Sequence, residues 1–469
     1  MESIQNFDFF RLQFDDGGNL IQRQALDEMK QHALSSGATD AIFIAHGFRN
    51  SELDATSLYT NFLTNFRSHV NGVLQPSLGS RKFVVAGVYW PSKPFTEEGD
   101  QGGSVQSADG ETVEMEAVKQ KLEEMKATEA NAIQKPKIER AIQLLDRVKG
   151  DRDAQDEFVE LVLSLLDNSE PDPTEGIERV RGTPGSELLD KLRTPIIVTT
   201  SGPKEFEGGG ASAGPVFVGG GDDGGSQGIG SFFSSVFGRI GHFLNLTLWY
   251  VMKNRSGVVG GNGVAKAVRE FKGSLPAVRI HLVGHSLGGR LMAACTKALA
   301  APPVVHLDSL SLLEAAFSHY GFSADNGKGQ EGFFHSVVTS AVVQGPFIAT
   351  FSKQDTVVGK VYAIASRLAG DNVQEVGDAD DPFGGIGRNG AQRTTGAVIE
   401  PLRQAGSPPY RFEFGKIVSL DGSGGLIKNH GDVTNAEVTF AFACAVAETG
   451  TDRPAGNLLA SAASTANPG

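Results

Sequence analysis

One serine, one aspartate and one histidine in this 469-residue chain have the types and the order that nucleophilic hydrolysis requires. Such chemistry needs a base to take the serine proton, a carboxylate to orient the base and donors for the developing oxyanion. The serine is Ser286, which lies in Gly284-His285-Ser286-Leu287-Gly288 between an apolar run and a helical pattern. Small residues allow a sharp strand-to-helix turn, and such a turn lifts the hydroxyl above a sheet.

The Gly-x-Ser-x-Gly pattern alone does not identify a nucleophilic serine, because it occurs three times in the chain. The other two copies, around Ser212 and Ser226, lie in a glycine-rich tract with no apolar strand before them. A nucleophilic turn requires that strand and the following helix. The context therefore singles out Ser286.

Asp355 and His430 follow Ser286 in the chain, and each comes after a predicted strand. The carboxyl ends of parallel strands share one edge of a sheet, so these three residues are predicted to meet there. We expect Ser286 to attack, His430 to carry the proton and Asp355 to orient His430. The alternatives are a buried or capping serine, a surface loop histidine and a helix-capping aspartate.

Two other carboxylates compete with Asp355 for the acid role. Glu314 ends the preceding predicted strand, and Asp421 is nearer to His430 in the chain. Asp432 also lies close to His430, but its position before an apolar helix indicates an N-cap.

The segment His46-Gly47-Phe48 ends a strand that should lie next to the nucleophile strand. Gly47 permits close approach of the backbone, so the N–H groups of Phe48 and Leu287 are predicted to form the oxyanion hole. The alternative is an ordinary glycine turn with a packed histidine.

Strand and helix patterns alternate through most of the chain, which predicts an α/β fold with a mostly parallel central sheet and flanking helices. Predicted strands cover 10–14 (an edge strand), 40–45, 82–90, 278–285, 309–316, 346–351 and 416–420. Predicted helices cover 23–33, 53–70, 264–271, 290–299 and 435–448. The segment 370–410 is predicted to be irregular.

The alternation stops in the middle of the chain, where charged helical patterns at 113–148 and 158–166 predict a large helical insertion that forms a cap. The predicted divisions are a first core part at 1–92, the insertion at 93–200 with a short strand at 195–199, a glycine-rich linker at 201–230, a second core part at 231–452 and a disordered tail at 453–469.

Several stretches together resemble the α/β-hydrolase superfamily, in particular bacterial lipase- or esterase-like serine hydrolases of unassigned substrate. The stretches are Ala45–Phe48, Gly284–Gly288, Asp355, His430–Asp432, Leu248–Lys253, Leu313–His319 and Gly384–Gly390. The resemblance implies the α/β-hydrolase fold and a serine nucleophile. It carries over no substrate, because this superfamily hosts many chemistries.

Composition and charge limit the classes of partner and the cellular location that we expect for the protein. The net charge of −13 and the pI near 5.3 argue against nucleic-acid binding. The first residues lack a basic segment followed by an apolar run, so a cytoplasmic location is expected, although this leaves signal-independent export open. The apolar segment Phe232–Met252 contains Arg239, His242 and Asn245, and is interpreted as a core or cap helix, with interfacial contact to lipid as the alternative.

No cofactor or metal is expected. Cys295 and Cys444 each sit in an apolar helical pattern and are predicted to be buried free thiols. The histidines lack metal-ligand spacing, and the aspartates at 378, 380 and 381 are interpreted as a solvated loop rather than a calcium site.

The leading hypothesis is therefore a serine hydrolase that cleaves carboxylic esters, its substrate a small-molecule or lipid ester. A lipid-acting hydrolase is the second hypothesis, motivated by Phe232–Met252. The third is a catalytically silent hydrolase fold that binds a partner through the helical insertion.

Overall fold

The central feature of the protein is one mostly parallel β-sheet. The computed structural model describes residues 1–93, 110–128, 133–166, 171–193, 235–370 and 382–449. The strands of this part of the chain are β1 (Glu2–Ile4), β2 (Phe7–Gln13), β3 (Asp40–Ala45), β4 (Phe83–Tyr89), β5 (Arg279–His285), β6 (Ser309–Leu313), β7 (Phe347–Phe351), β8 (Val398–Pro401) and β9 (Ile417–Asp421). Their order is β1-β2-β4-β3-β5-β6-β7-β9-β8, and only β1 runs antiparallel to its neighbour. The expected mostly parallel sheet is confirmed.

Helices cover both faces of the sheet. They are α1 (Arg23–Ser36), α2 (Glu52–Asn71), α3 (Gln75–Leu78), α4 (Gly110–Thr128), α5 (Gln134–Leu144), α6 (Arg152–Leu163), α7 (Gly185–Lys191), α8 (Val236–Val258), α9 (Ala265–Ser274), α10 (Leu287–Ala300), α11 (His335–Thr339), α12 (Thr356–Leu368), α13 (Ile386–Asn389) and α14 (Ala436–Glu448). Side chains alternate along the buried strands, so Phe43 joins the apolar cluster on the α10 face while Ile42 and Ile44 join the one on the α2 and α14 face.

Two predictions about the sheet edges were wrong. The stretch predicted as an edge strand belongs to β2, which lies inside the sheet because β1 pairs along its outer side. At the other end, β8 forms an edge strand within the stretch predicted to be irregular. Both missed strands are short, and neither has the run of buried apolar residues that marks the central strands.

The helices between β4 and β5 share one hydrophobic core with the sheet and do not form a separate core. Buried side chains of α4 to α7, such as Val118, Phe158 and Leu188, belong to the same apolar cluster as the α10 face of the sheet. The predicted strand at 195–199, the glycine-rich linker and the C-terminal tail lie outside the described residues.

The apolar segment Phe232–Met252, which precedes β5 in the chain, belongs to α8 from Val236 onward. Most of its side chains are buried, including Phe243, Leu246 and Trp249, and they pack against the helices of the insertion and against α10. Within the described residues, none of the helices combines the length and the apolar character needed to cross a membrane.

A buried ion pair connects the insertion to the core. Glu175 contacts the ammonium group of Lys253 and accepts hydrogen bonds from the Tyr362 hydroxyl at 2.9 Å and the Ser318 backbone N–H at 3.0 Å. Burial raises the pKa of Glu175 and lowers that of Lys253, while the attraction between them opposes both effects. Two desolvated charges are held here by mutual attraction and by the hydrogen bonds on Glu175.

We expect Lys253→Met to lower the free energy of unfolding by about 3 to 5 kcal/mol, because it leaves a buried carboxyl group without its cation. Urea denaturation followed by circular dichroism measures the change. The matched control is Arg140→Ala, which breaks the exposed Arg140–Glu157 pair and should barely move the midpoint. Similar midpoints for the two variants would contradict this role of Lys253.

Candidate active site

Ser286 occupies a strained turn between β5 and α10. Its backbone has φ 57° and ψ −125°, a combination that is costly for a residue with a Cβ atom. The neighbouring strand fixes this geometry, since the Ser286 N–H donates to the Leu313 carbonyl at 3.0 Å and the Ser286 carbonyl accepts from the Ala316 N–H at 3.0 Å. The predicted strand-turn-helix around Ser286 is present.

The two glycines of the motif are required by the closeness of the backbone. A Cβ atom on Gly284 would lie 2.2 Å from the Gly288 carbonyl oxygen, and one on Gly288 would lie 2.4 Å from the Ala45 carbonyl oxygen. No side chain fits at such distances. The motif residues therefore let α10 start directly against β3 and β5.

The three predicted catalytic residues meet at this turn. The Ser286 hydroxyl lies 2.8 Å from Nε2 of His430, and Nδ1 of His430 lies 2.7 Å from Oδ2 of Asp355. All three are buried, with exposed fractions of 4%, 6% and 0%. With Nδ1–H donating to the carboxylate, Nε2 is free to accept the serine proton.

Asp355 fills both roles that its sequence position suggested. One carboxylate oxygen holds His430, while the other accepts the Val358 N–H at 2.9 Å and caps α12. The cap fixes the orientation of the carboxylate toward His430.

His285 positions His430, a contact that was not foreseen from the sequence. Its Nε2 lies 2.8 Å from the His430 backbone carbonyl, and the two ring centroids are 4.8 Å apart. Burial lowers the pKa of His285 to about 3, so the ring is neutral at pH 7 and its one N–H donates to that carbonyl. The only sequence signal for this contact was that the residue directly before Ser286 is polar.

The Gly384–Gly390 segment clamps the loop that carries Asp355. The Arg388 guanidinium donates to the backbone carbonyls of Lys353 and, at 3.2 Å, Asp355. The Ser352 N–H donates to the Gly387 carbonyl at 3.0 Å, and the Gly387 N–H donates to Ala315 at 3.0 Å. The segment thus joins the ends of β6 and β7, which explains why glycines are concentrated there.

The segment predicted to form the oxyanion hole lies against Ser286. A Cβ atom on Gly47 would lie only 2.8 Å from the Cβ of Ser286, and β3 is indeed the neighbour of β5. Among the described residues, no backbone hydrogen bond occupies the N–H of Phe48 or Leu287. Leu287 is the first residue of α10, where N–H groups have no partner within the helix.

His46 is a packed histidine behind this segment. Its ring stacks on Trp90 with centroids 5.7 Å apart, and the Trp90 indole N–H donates to its carbonyl at 3.0 Å. The His46 N–H donates to the Tyr59 hydroxyl at 3.0 Å, and burial lowers the pKa of the ring to about 4. His46 thus has a structural role, while Gly47 provides the close approach.

If the chain has the ester hydrolysis that its sequence predicts, Gly47→Ala should reduce kcat/KM for a short ester by about 100- to 1,000-fold, because the added methyl group pushes Phe48 away from Ser286. Steady-state kinetics measure the loss. Gly273→Ala is the matched control, since a Cβ atom there has no neighbour within 4 Å and alanine favours the helix. Wild-type activity in Gly47→Ala would rule out this loop as part of the site.

The competing carboxylates have different surroundings. Asp421 accepts the Ser423 N–H at 2.8 Å and closes a turn. Asp432 does not cap the last helix as predicted; Asn435 does, accepting the Val438 N–H at 2.8 Å. Glu314 is fully buried close to Asp355 and His430.

The described residues contain one group of side chains with metal-ligand spacing and two cysteines. The one group of side chains there with metal-ligand spacing is Glu314, Asp355 and His430, in which His430 and Asp355 already bind each other. Cys295 and Cys444 are free and buried as predicted, and burial raises the pKa of both thiols. The three aspartates near 380 lie outside the described residues.

Comparisons with known proteins supply no relative: no protein-family model, no curated protein and no solved structure gives a significant match.

Proposed function

We propose that this protein is a serine hydrolase of the α/β-hydrolase type that cleaves carboxylic esters through an acyl-enzyme intermediate. The observation that carries the proposal is the continuous hydrogen-bonded chain from Ser286 through His430 to Asp355, with lengths of 2.8 and 2.7 Å. The strand order and the chain order of the three residues support the assignment to this type of fold.

In the first half of the reaction, His430 takes the hydroxyl proton as Ser286 attacks the ester carbonyl. Asp355 stabilises the imidazolium ion that forms and keeps its ring in place. The backbone N–H groups of Phe48 and Leu287 donate to the oxyanion of the tetrahedral intermediate. His430 then returns the proton to the departing alkoxide, which leaves as the alcohol.

In the second half, a water molecule takes the place of the alcohol. His430 removes a proton from it, and the resulting hydroxide attacks the acyl group on Ser286. Collapse of the second tetrahedral intermediate releases the carboxylic acid and restores the serine hydroxyl. The same groups thus serve both halves.

The helices of α4 to α7 form the cap of the proposed enzyme. Support comes from Glu175, which joins the insertion to Ser318, shortly after the end of β6. This contact brings the insertion to the edge of the sheet at which the catalytic residues lie.

A small-molecule ester is the substrate class that we favour, and the location stays a prediction of a cytoplasmic protein. The lipid hypothesis depended on the apolar segment ending at Met252, and its described part packs into the core as α8. A silent binding module would have no need for the strained turn at Ser286 or for the buried pair of His430 and Asp355.

Hydrolysis of p-nitrophenyl esters with acyl chains of two to sixteen carbons tests the proposal. We expect turnover that is fastest for the short chains and shows no increase when long-chain substrates aggregate. Activation by aggregated substrate would instead favour a lipid-acting enzyme, and no turnover of any ester would overturn the proposal.

A further inference from the structure

Glu314 is a buried carboxyl group that the proposed reaction does not use. It directly follows β6, has a backbone φ of 43° and is completely inaccessible to solvent. Neither of its carboxyl oxygens has a hydrogen-bond partner among the described residues. Burying a carboxyl group without a hydrogen-bond partner costs free energy and is uncommon in proteins, which suggests a functional role for Glu314.

The position of Glu314 places it beside the catalytic pair. One of its carboxyl oxygens, a carboxylate oxygen of Asp355 and a ring nitrogen of His430 all lie within 4.8 Å of one another. The backbone leaves little freedom there, because the Glu314 N–H donates to Thr350 at 3.2 Å and Gly387 packs directly on the Glu314 carbonyl group. The carboxyl group is therefore held next to His430 by strand β7 and by α13.

The charge of Glu314 depends on Asp355. Burial, together with the negative charges of Asp355 and Asp432, raises the pKa of Glu314 well above its ordinary value. In the resting enzyme Glu314 is thus a neutral acid, and Asp355 is the carboxyl group that accepts the hydrogen bond of His430. Removal of the Asp355 charge would remove one of the causes that keep Glu314 protonated.

We propose that Glu314 is a reserve acid of the active site, able to take over the support of His430 when Asp355 no longer provides it. The inference rests on the proposed function. Glu314 would then act through His430 as a positioning residue, replacing a hydrogen bond that Asp355 normally makes.

Four proteins test this inference: the wild type, Glu314→Gln, Asp355→Asn and the double variant. The readouts are kcat/KM for a short ester and the rate at which a fluorophosphonate labels Ser286. Loss of the acid from a triad whose geometry is kept lowers kcat by about 10,000-fold. We expect Asp355→Asn to lose only about 10- to 100-fold, the double variant about 10,000-fold, and Glu314→Gln alone less than about threefold.

A purely structural role would give a different result, because Glu314→Gln would then have the same effect in both backgrounds. Equal activities of Asp355→Asn and the double variant would overturn the reserve-acid proposal while leaving the esterase intact. Absence of labelling in the folded wild type would instead overturn the proposed function and this inference with it. If the amide variant does not fold, Glu314→Met removes the unpartnered polar group at similar volume.

The pH dependence of labelling gives a second readout. A negative charge beside an imidazole favours its protonated form, so the acid limb of Asp355→Asn should lie at higher pH than that of the double variant. Among the described residues, the charged or titratable groups around this pair include Asp432, His285 and Arg388. These three are the same in both proteins, so coinciding acid limbs would contradict ionisation of Glu314.

Discussion

Replacement of Ser286 by alanine should reduce kcat for p-nitrophenyl esters by about a million-fold while leaving the fold intact. The hydroxyl oxygen forms the covalent bond of the proposed reaction, and its proton donates to His430 at 2.8 Å. Alanine removes this oxygen and adds no bulk to the turn. Kinetics with long incubation times and a thermal unfolding scan together measure the effect.

The chain supplies its own control for this variant. Ser226 stands in the same Gly-x-Ser-x-Gly pattern but without a preceding strand pattern. Ser226→Ala should therefore retain full activity. If the Ser226 variant rather than the Ser286 variant lost activity, strand context would be the wrong criterion for the nucleophile.

Replacement of His430 by alanine should reduce kcat by about the same million-fold. His430 is the group within hydrogen-bond reach of both the Ser286 hydroxyl and the Asp355 carboxylate, so its removal leaves the serine without a base. Residues that act as one unit are not additive. The double variant with Ser286→Ala should consequently be no slower than either single variant.

His306→Ala is the control for the second variant, because His306 is an exposed histidine. It should keep wild-type kinetics. A further large loss in the double variant, beyond that of Ser286→Ala, would show that His430 acts independently of the serine and would contradict the proton transfer between them.

The meeting of Ser286, Asp355 and His430 was predictable because local sequence patterns mark each of these residues. An apolar strand, a small-residue turn and an amphipathic helix surround Ser286, and Asp355 and His430 each follow a predicted strand. Parallel strands bring their carboxyl ends to one edge, so three local predictions combine into one site. The distances between the three side chains agree with this expectation.

The supporting residues were not predictable, because their partners are distant in the chain. His285 contacts a carbonyl 145 positions away, and Arg388 reaches the Asp355 loop 33 positions earlier. Neither contact leaves a periodic pattern in the sequence. The Lys253–Glu175 pair was not predictable either, because charged residues are mostly exposed and nothing in the sequence indicates that folding buries these two.

The sheet edges were missed for a different reason. β1 and β8 are short, and β8 alternates between partly buried and exposed residues, so hydrophobic periodicity gives no signal. Asp432 was predicted to cap the last helix because aspartate is a favourable N-cap residue before an apolar run. Asn435, which is closer to the first turn, accepts the capping hydrogen bond from the Val438 N–H instead. Several neighbouring polar residues make a cap position ambiguous.

The most direct measurement of the central claim is the site of covalent labelling by a fluorophosphonate. Such a probe reacts with a serine that a neighbouring base activates and transfers its phosphonyl group to the oxygen. After digestion and mass spectrometry, we expect the adduct on the peptide that contains Ser286, and no adduct in Ser286→Ala or His430→Ala. Folded wild-type protein that remains unlabelled, or that is labelled on another serine, would contradict the proposed nucleophile.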